Sequence, residues 1–235
     1  MFKKYHSPNR TDANSNQSEI PTVELTETVA RVSGYQTYEV RRNGDIIRMN
    51  AKLEDQYKLI SVIDISGTID TLVDLGCSNG AMGIILANIY SARTLYLLDH
   101  DVECVELLNT LSDWLSTGVS INPVRFSFGV DVLPTADIIV TLSTIHWFYS
   151  ATADYGCLYK IIETLSKKVN RALIIEWVDP SDPAIQHLHH TSFNSAVHKT
   201  PYSKYNFLDA LGIYFKKVQF VGNTTNTREL YVAHH

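Results

Sequence analysis

Apolar and polar positions alternate in two rhythms along most of this chain. From residue 71 onward, short apolar runs predict strands at 71–75, 94–99, 123–128, 136–142, 171–177, 216–222 and 228–233. Apolar residues at helical spacing predict helices at 80–91, 101–117, 154–168 and 203–214. Apolar strands that alternate with amphipathic helices are typical of an α/β protein with a mostly parallel, seven-stranded sheet covered on both faces. Only residues 223–227 separate the last two strands, so the final strand should pair antiparallel.

The beginning of the chain carries a weaker pattern. Residues 1–20 are rich in Ser, Asn, Asp and Pro, and we expect them to form a flexible arm. Residues 21–33 are predicted to form a short helix with Thr22 as its N-cap. The expected division is therefore an arm with a short helix over residues 1–33 and one domain over residues 34–235.

Two more elements are predicted before the alternating region. Residues 34–47 contain two tyrosines and the turn sequence Asn43-Gly44, which predict an ordered strand or hairpin. Apolar residues recur at helical spacing over 50–64, which predicts a helix there.

Composition narrows the class of protein and its surroundings. The 235 residues are 45% hydrophobic and carry a formal net charge of -5, so no general positive field attracts nucleic acid or an anionic membrane. The three cysteines form no CxxC pair, which favours reduced thiols over disulfides. The sequence shows neither an apolar run of transmembrane length nor the apolar core of a signal peptide. We expect a cytoplasmic protein with no membrane insertion.

The most informative stretch is residues 72–87. An apolar strand ends at Asp74, the chain turns through Gly76 and Gly80, and an apolar helix follows. Glycine permits a sharp turn and lets a ligand approach the backbone closely. The first N–H groups of the helix are free to bind that ligand. Nucleotide-type cofactors bind at such junctions, at the carboxyl ends of parallel strands.

Acidic residues follow the next two strands. Asp99 ends the second strand, where a carboxylate can accept hydrogen bonds from a ribose diol. Asp131 follows the third strand, where an acid can accept a bond from an adenine amine. Asp99 would also suit NAD, but the spacing of Gly76, Gly80 and Gly83 is wider than the G-x-G-x-x-G expected for a pyrophosphate.

Here the chain resembles the class I S-adenosylmethionine-dependent methyltransferases, over roughly residues 70–235. Residues 73–80 (VDLGCSNG) are similar to the first motif of that family, residues 97–99 (LLD) to its second and residues 137–143 (DIIVTLS) to its fourth. The resemblance implies a Rossmann-like fold and S-adenosyl-L-methionine as the cofactor.

The same resemblance implies where the cofactor binds. Gly76 and Gly80 would flank the methionine moiety, Asp99 would hold the ribose, and Asp131 would lie near adenine. The full set of implied cofactor-binding residues is Tyr35, Asp74, Gly76, Cys77, Ser78, Gly80, Asp99, His100, Asp131, Val132, Leu142 and Ser143.

Candidates for the acceptor side follow the fourth and fifth strands. His146 is the candidate general base, because an unperturbed pKa of about 6.5 suits proton removal near neutrality. It is equally well interpreted as a hydrogen-bonded residue at a helix start. Glu176 is the second catalytic candidate and could orient a substrate amine or hydroxyl, or hold the cofactor's ammonium group. Trp147 and Trp177 are either core aromatics or a platform for the substrate.

A group of histidines invites a metal interpretation. Neither a cysteine nor a carboxylate completes a recognisable zinc-ligand spacing around them, so no metal is predicted. The histidines are His187, His189, His190 and His198.

More specific resemblances concern the methyl acceptor. Residues 35–39 (YQTYE), 142–147 (LSTIHW), 173–176 (LIIE) and 228–234 (RELYVAH) resemble the methyltransferase domain of bacterial O-antigen chain-terminating enzymes. That resemblance implies transfer to an oxygen at the end of a glycan, in some cases on a phosphate. The chain is more weakly similar to RNA 5′-phosphate methyltransferases. This similarity lies in the Leu-Ser-x-x-x-Trp pattern of residues 142–147 and in Glu176, near the end of the predicted strand at 171–177.

A third RNA interpretation fails on the sequence. The Lys-Asp-Lys-Glu tetrad of ribose 2′-O-methyltransferases is incomplete, because Ser143 and Glu176 stand where its second and third members are required. We therefore expect an O-methyltransferase acting on a glycan hydroxyl, a phosphate or a small polar molecule. An RNA 5′-phosphate methyltransferase and a non-catalytic cofactor-binding subunit are the alternatives. The sequence leaves the acceptor and the oligomeric state open.

Overall fold

The protein contains one small and one large β-sheet, in a computed structural model that describes residues 20–152, 156–186, 188 and 200–235. The small sheet is antiparallel and takes its strands in chain order. Its strands are β1 (Thr22–Leu25), β2 (Val29–Ser33), β3 (Tyr38–Arg41) and β4 (Ile46–Met49). The predicted hairpin around the Asn43-Gly44 turn is confirmed by the pairing of β3 with β4.

The predicted helix over residues 21–33 is wrong, because this segment forms β1 and β2. In β2, Ala30 and Val32 are buried while Arg31 between them is exposed, which is the two-residue period of a strand. The predicted boundary between residues 33 and 34 therefore falls inside the small sheet. The arm predicted over residues 1–20 lies outside the described residues, apart from Ile20.

The large sheet has seven strands in the order β10-β11-β9-β8-β5-β6-β7. Strands β5 to β9 are parallel, and β11 runs antiparallel to both β9 and β10. The predicted Rossmann-like sheet with an antiparallel final strand is confirmed. The strands are β5 (Thr71–Leu75), β6 (Thr94–Asp99), β7 (Ser120–Arg125), β8 (Ala136–Thr141), β9 (Val169–Val178), β10 (Lys217–Thr225) and β11 (Arg228–His234).

Helices cover both faces of the large sheet and build two apolar cores. One core joins one face to the small sheet and the first three helices, and the other joins the opposite face to later helices. The helices are α1 (Ala51–Ile60), α2 (Ala81–Ile89), α3 (Val102–Trp114), α4 (Ile145–Ala151), α5 (Leu158–Ser166), α6 (Pro183–Gln186) and α7 (Lys204–Tyr214). In the described part of the chain, no helix has the length and apolarity needed to cross a membrane.

The short helix α4 was not predicted. Five of its seven residues are buried, so its sequence lacks the amphipathic period that marks a helix with one exposed face. It follows directly on the end of β8, at the edge of the sheet where β5 and β8 are neighbours. The connection from β5 leads to β6 on one side, and the connection from β8 leads to β9 on the other side. The two connections therefore diverge and leave a crevice above the carboxyl ends of β5 and β8.

Candidate active site

The turn between β5 and α2 forms the floor of this crevice. The backbone N–H groups of Gly76 and Cys77 donate hydrogen bonds to the carbonyl oxygen of Leu98, at 2.8 and 3.1 Å. Gly76 has a φ of 76°, and a Cβ added to it would lie 2.2 Å from Cγ2 of Thr144. The turn therefore requires glycine at residue 76 both for its backbone conformation and for the close approach of the segment after β8.

Asp99 is held as an acceptor at the end of β6. Its carboxylate accepts hydrogen bonds from the N–H groups of Ser78 at 2.7 Å and Asp101 at 3.0 Å. Although burial would raise the pKa of Asp99, the neighbouring His100 side chain and these two N–H groups lower it below its usual value. The ionised carboxylate is thus fixed beside the glycine turn.

Two cavities meet at Gly76, which lines both. The first has a volume of about 270 Å³ and combines aromatic walls with the Asp99 carboxylate. Phe128 stacks on Phe148 with ring centroids 4.2 Å apart and forms part of this wall. An aromatic-lined space beside a carboxylate suits a nucleoside. The first cavity is lined by Leu75, Gly76, Leu98, Asp99, His100, Phe126, Ser127, Phe128, Val130, Trp147, Phe148, Ala151 and Thr152.

The second cavity shares Gly76 with the first and is small. Its volume is about 20 Å³, and it lies between the turn, the end of β8 and the first elements of the chain. It is lined by Tyr35, Gln36, Gln56, Asp74, Gly76, Cys77, Ser78, Met82, Leu142 and Ser143.

Asp74 is the acid of the second cavity, and its environment differs from that of Asp99. Burial raises its pKa to about 7, and the negative charge of Asp99 adds to the rise, while the N–H of Gly83 opposes it. Among the described residues, its Oδ2 has no hydrogen-bond partner. A buried carboxyl oxygen without a partner favours a cation or a donor beside it.

Tyr35 lines the second cavity, and Lys52 contacts Tyr35. The Lys52 ammonium donates a hydrogen bond to the Tyr35 hydroxyl and lies 3.8 Å from the centre of its ring. Although partial burial raises the pKa of Tyr35, the positive charge of Lys52 lowers it overall. A cation and a polarised phenol therefore stand at the mouth of the site.

Glu176, at the carboxyl end of β9, is fully buried and closely bonded. Its Oε2 accepts hydrogen bonds from the N–H and the hydroxyl of Ser143, both at 2.8 Å. Its Oε1 accepts a hydrogen bond from the Thr224 hydroxyl. These bonds hold Ser143 in a left-handed backbone conformation, with a φ of 57°, at the rim of the second cavity.

Arg228, the first residue of β11, completes this network. It donates to both carboxylate oxygens of Asp182, at 2.8 and 3.0 Å, and to the Ser143 hydroxyl at 2.7 Å. Burial would raise the pKa of Asp182, but the bonds from Arg228 and Thr227 hold it well below its usual range. The pair is almost wholly removed from water, with side-chain exposures of 11% and 4%.

His146 lies in α4, close to this network. It is 1% exposed, and neither ring nitrogen has a hydrogen-bond partner among the described residues. Burial lowers its pKa to about 4; the positive charge of Arg228 adds to the effect and Asp182 opposes it. The imidazole is therefore neutral near pH 7, and its burial makes it a weaker base than an exposed histidine.

The structure brings most of the predicted cofactor-binding residues to the two cavities. Gly76, Asp99 and His100 line the first. Seven of the predicted residues line the second: Tyr35, Asp74, Gly76, Cys77, Ser78, Leu142 and Ser143.

Five predicted site residues line neither cavity. Gly80 begins α2 below the turn, and the buried His146 and Glu176 lie behind the cavity walls. Val132 is 85% exposed, and the Asp131 carboxylate accepts a hydrogen bond from the N–H of Ser127 at 2.7 Å. The roles inferred from the sequence for all of the predicted site residues remain predictions.

Sequence reasoning missed Gln36, Gln56 and Arg228. Gln56 had a signal, since it is a polar residue on the same helical face as Leu53 and Ile60, both of which are buried. Trp177 is a core aromatic that stacks on Tyr202, with ring centroids 4.5 Å apart, whereas Trp147 is half-exposed and lines the first cavity.

Metal ligands form no cluster in the part of the chain that the structure describes. All four histidines considered for zinc lie outside the described residues, at 187 and within 189–199. The absence of a metal site therefore stays a prediction.

No protein-family model and no curated protein sequence matches the chain. Its fold is nevertheless shared with solved methyltransferases. Magnesium protoporphyrin IX methyltransferase from Synechocystis PCC 6803, with SAH bound, is 13% identical; the match covers 78% of this chain and 82% of that one, with a TM-score of 0.53. Geranyl diphosphate C-methyltransferase from Streptomyces coelicolor A3(2) is 10% identical and covers 77% of each chain, also with a TM-score of 0.53.

WbdD, solved with the kinase inhibitor LY294002, has the same fold over part of its length. It is 14% identical, and the match covers 77% of this chain but 38% of WbdD, with a TM-score of 0.50. At these identities the similarity establishes the fold alone. The chain has the class I methyltransferase fold.

Proposed function

We propose that this protein transfers a methyl group from S-adenosylmethionine to an oxygen acceptor, such as a glycan hydroxyl, a phosphate or a small polar molecule. The observation that carries the proposal is the junction of two unlike cavities at Gly76, the glycine of the β5–α2 turn. One is lined by aromatic rings and a fixed carboxylate, and the other is small and has two glutamines and an aspartate among its lining residues. S-adenosylmethionine has the same division, with a nucleoside at one end and an amino acid at the other.

The residues present fit this cofactor. Asp99 would accept hydrogen bonds from the ribose diol, because its carboxylate is ionised and fixed by two backbone N–H groups. The aromatic wall formed by Phe126, Phe128 and Trp147 would hold the base. Gly76, which lines both cavities, would lie beside the chain that joins the two ends. When bound, the cofactor supplies a methyl group activated by a positively charged sulfur.

The protein would contribute mainly position and the exclusion of water. Methyl transfer requires the acceptor oxygen to lie in line with the methyl group and its leaving sulfur, and such alignment alone can contribute a large rate factor. Glu176 and Arg228 would act as positioning residues, because their hydrogen bonds hold Ser143 at the cavity rim. This role is an alternative to the direct catalytic one inferred for Glu176 from the sequence.

His146 would accept the proton of a hydroxyl acceptor. Its pKa, lowered to about 4, leaves the imidazole neutral at pH 7 but makes it a weaker base than an exposed histidine, so this role is carried by the sequence and by the position of His146 in α4. A phosphate acceptor is already ionised near neutrality and would not require this base. The solved structures with the same fold carry methyltransferase names with unlike acceptors, so the fold does not choose between these two.

Two variants test the proposal. Asp99→Ala should weaken the binding of S-adenosylhomocysteine by tenfold or more, because the ribose loses a charged acceptor. His146→Ala should leave that affinity nearly unchanged but lower turnover of a hydroxyl acceptor by roughly 10²–10⁴-fold. Calorimetry measures the first, and transfer of a labelled methyl group measures the second.

The outcomes separate the alternatives. Wild-type protein that binds S-adenosylhomocysteine but transfers no methyl group to any glycan, phosphate or small-molecule acceptor would support a cofactor-binding subunit. Transfer to an RNA 5′-phosphate would support the RNA alternative. Equal loss of affinity and turnover in His146→Ala would contradict the base assignment.

A further inference from the structure

Tyr35 is a tyrosine that lines the second cavity. The Lys52 ammonium donates a hydrogen bond to its hydroxyl, and the Ser143 hydroxyl lies within hydrogen-bond reach of it. Ser143 is followed by Thr144, whose Cγ2 lies beside Gly76, the residue shared by the two cavities. The Tyr35 hydroxyl is therefore close to the junction where the two ends of the proposed cofactor would meet.

Two backbone carbonyl groups fix the loop that carries Tyr35. The carbonyl oxygens of the two residues after Tyr35 accept hydrogen bonds from the Asn79 side chain and, at 2.9 Å, from the N–H of Asn50. Asn79 belongs to the glycine turn, and Asn50 is the N-cap of α1, the helix that carries Lys52. The loop is thus tied both to the turn and to this helix, so the pair of Tyr35 and Lys52 is held in place by the fold.

The Lys52 ammonium favours the ionised form of this phenol. It lies 3.8 Å from the centre of the Tyr35 ring. In the described part of the chain Lys52 forms no ion pair, whereas Lys58 of the same helix pairs with two acidic residues. Although burial raises the pKa of Tyr35, the charge and the hydrogen bond of Lys52 lower it overall, and the charge of Arg228 acts in the same direction.

His146, the candidate base inferred from the sequence, does not share this position. It is 1% exposed and lines neither cavity, whereas Tyr35 is 53% exposed and lines the second. A general base must come within hydrogen-bond reach of the proton that it removes. Asp74 and Cys77, the other titratable residues that line the second cavity, are both buried. Tyr35 is therefore the accessible titratable group of this cavity, among the residues that the structure describes.

We propose that ionised Tyr35, supported by Lys52, removes the proton of the acceptor, and that the acceptor is therefore an alcohol. The proposal rests on the proposed function and is an alternative to the role inferred for His146. As the acceptor oxygen bonds to the methyl carbon, its proton passes to the Tyr35 oxygen, and the carbon–sulfur bond breaks with its electron pair left on a neutral sulfur. Tyr35 then releases the proton to water, which reaches this half-exposed side chain. Lys52 is a positioning residue, because it acts through Tyr35.

The pH dependence of methyl transfer tests the proposal. With methyl glycosides of common hexoses as hydroxyl acceptors, kcat/KM should rise with pH as Tyr35 loses its proton, and level off below the usual tyrosine pKa of about 10. Tyr35→Phe should remove this rise and lower turnover by roughly 10²–10⁴-fold, while its affinity for S-adenosylhomocysteine stays nearly unchanged. Lys52→Met should move the rise to higher pH by roughly one unit or more, and Lys52→Arg should keep it near its original position.

Absorbance of tyrosinate gives a second measurement that needs no acceptor. The ultraviolet difference between the wild-type protein and Tyr35→Phe should titrate below a pH of about 10, and Lys52→Met should raise that midpoint. Tyr205→Phe is the matched control, because it removes the hydroxyl of an exposed tyrosine in α7. It should leave both the rate profile and the low titration unchanged.

The outcomes separate the possible failures. A rise that persists in Tyr35→Phe overturns the proposal and assigns the proton to another group; if His146→Ala removes the rise, that group is His146, and if Asp74→Asn removes it, that group is Asp74. Equal loss of cofactor affinity and turnover in Tyr35→Phe also overturns it, because Tyr35 would then serve the cofactor.

A phosphate acceptor separates this proposal from the proposed function. It is already ionised near neutrality and needs no base. If the wild-type protein methylates a hexose phosphate but none of the glycosides, the role of Tyr35 is overturned while the proposed function stands. If it methylates neither class, the proposed function itself fails in favour of the cofactor-binding subunit.

Discussion

Asp74 and Asp99 lie near the carboxyl ends of the neighbouring strands β5 and β6, and their pKa values are shifted in opposite directions. Asp99 accepts two backbone hydrogen bonds and has a lowered pKa. Asp74 is buried without a partner for Oδ2, and burial raises its pKa to about 7. The first is a permanent acceptor, and the second gains its negative charge near neutral pH. The same residue type therefore serves two different parts of the site.

The raised pKa of Asp74 predicts that cofactor binding depends on pH. The amino-acid end of a cofactor bound in the second cavity would favour the charged carboxylate through its ammonium group and lower this pKa from about 7, so below that pH the site must lose a proton before it binds. Affinity for S-adenosylhomocysteine should therefore rise with pH by up to about tenfold per unit below pH 7, and level off above it. Calorimetry between about pH 5.5 and 7.5 would measure this.

Controls for this prediction must account for the neighbouring titratable groups. Asp99, Cys77 and Tyr38 interact electrostatically with Asp74 or face it, and His100 lies beside Asp99. Adenosine lacks the amino-acid end and in the proposed binding mode would reach only the Asp99 side, so its affinity should lack the same rise. Asp74→Asn should bind S-adenosylhomocysteine more weakly and remove the rise. A slope that persists in Asp74→Asn would assign it to another group.

At the level of elements, the buried ion pair of Arg228 and Asp182 belongs to a hydrogen-bond network that joins four elements. Arg228 begins β11, Asp182 precedes α6, and Ser143 and Glu176 lie at the ends of β8 and β9. The hydrogen bonds between them explain why the segment after β8 takes a left-handed turn toward the cavity. Removing one partner of a buried pair leaves an uncompensated charge, whereas removing both often costs little.

A double-mutant cycle tests this network. Arg228→Met should lower the free energy of unfolding by about 3–5 kcal/mol, because Asp182 then remains buried and unpaired. Adding Asp182→Leu should recover a substantial part of that loss. Urea unfolding measures both. Arg171→Met is the matched control, because Arg171 is 40% exposed in its pair with Asp137 and should cost at most about 1 kcal/mol. Additive losses in the double variant would show that the two side chains are not coupled.

In the whole molecule, the small sheet and the large sheet meet at the site. The small sheet shares an apolar core with one face of the large sheet. Among the described residues, one buried hydroxyl of the small sheet contacts the glycine turn. The Tyr38 hydroxyl donates a hydrogen bond to the carbonyl oxygen of Asn79. Residues 34–37, which connect β2 to β3, cover the second cavity with Tyr35 and Gln36. Docking of the small sheet and assembly of the second cavity are therefore coupled.

Tyr38→Phe tests that coupling. The substitution keeps the ring in the core but leaves the Asn79 carbonyl without its donor, which should cost about 1–3 kcal/mol of stability. It should also weaken S-adenosylhomocysteine, because the loop that carries Gln36 loses a support, while adenosine should bind as before. Urea unfolding and calorimetry would measure the two effects. Loss of stability with no change in either affinity would show that the small sheet supports the fold without shaping the site.

The sequence by itself determined the large sheet, its antiparallel final strand, the glycine turn and the position of Asp99. These features depend on periodic burial and on local backbone geometry, which residues close in the chain specify. Only the tertiary structure showed that residues 22–33 form strands, because strands of four and five residues depend on the partners with which they pair.

Only the tertiary structure also brought Gln36, Gln56 and Asp74 around one space, and joined Arg228 to Asp182 across 46 positions of the chain. Nothing local marks such residues, because their role comes from what surrounds them. Burial gives a glutamine oxygen or a histidine nitrogen its significance, and burial is decided when distant elements pack against each other.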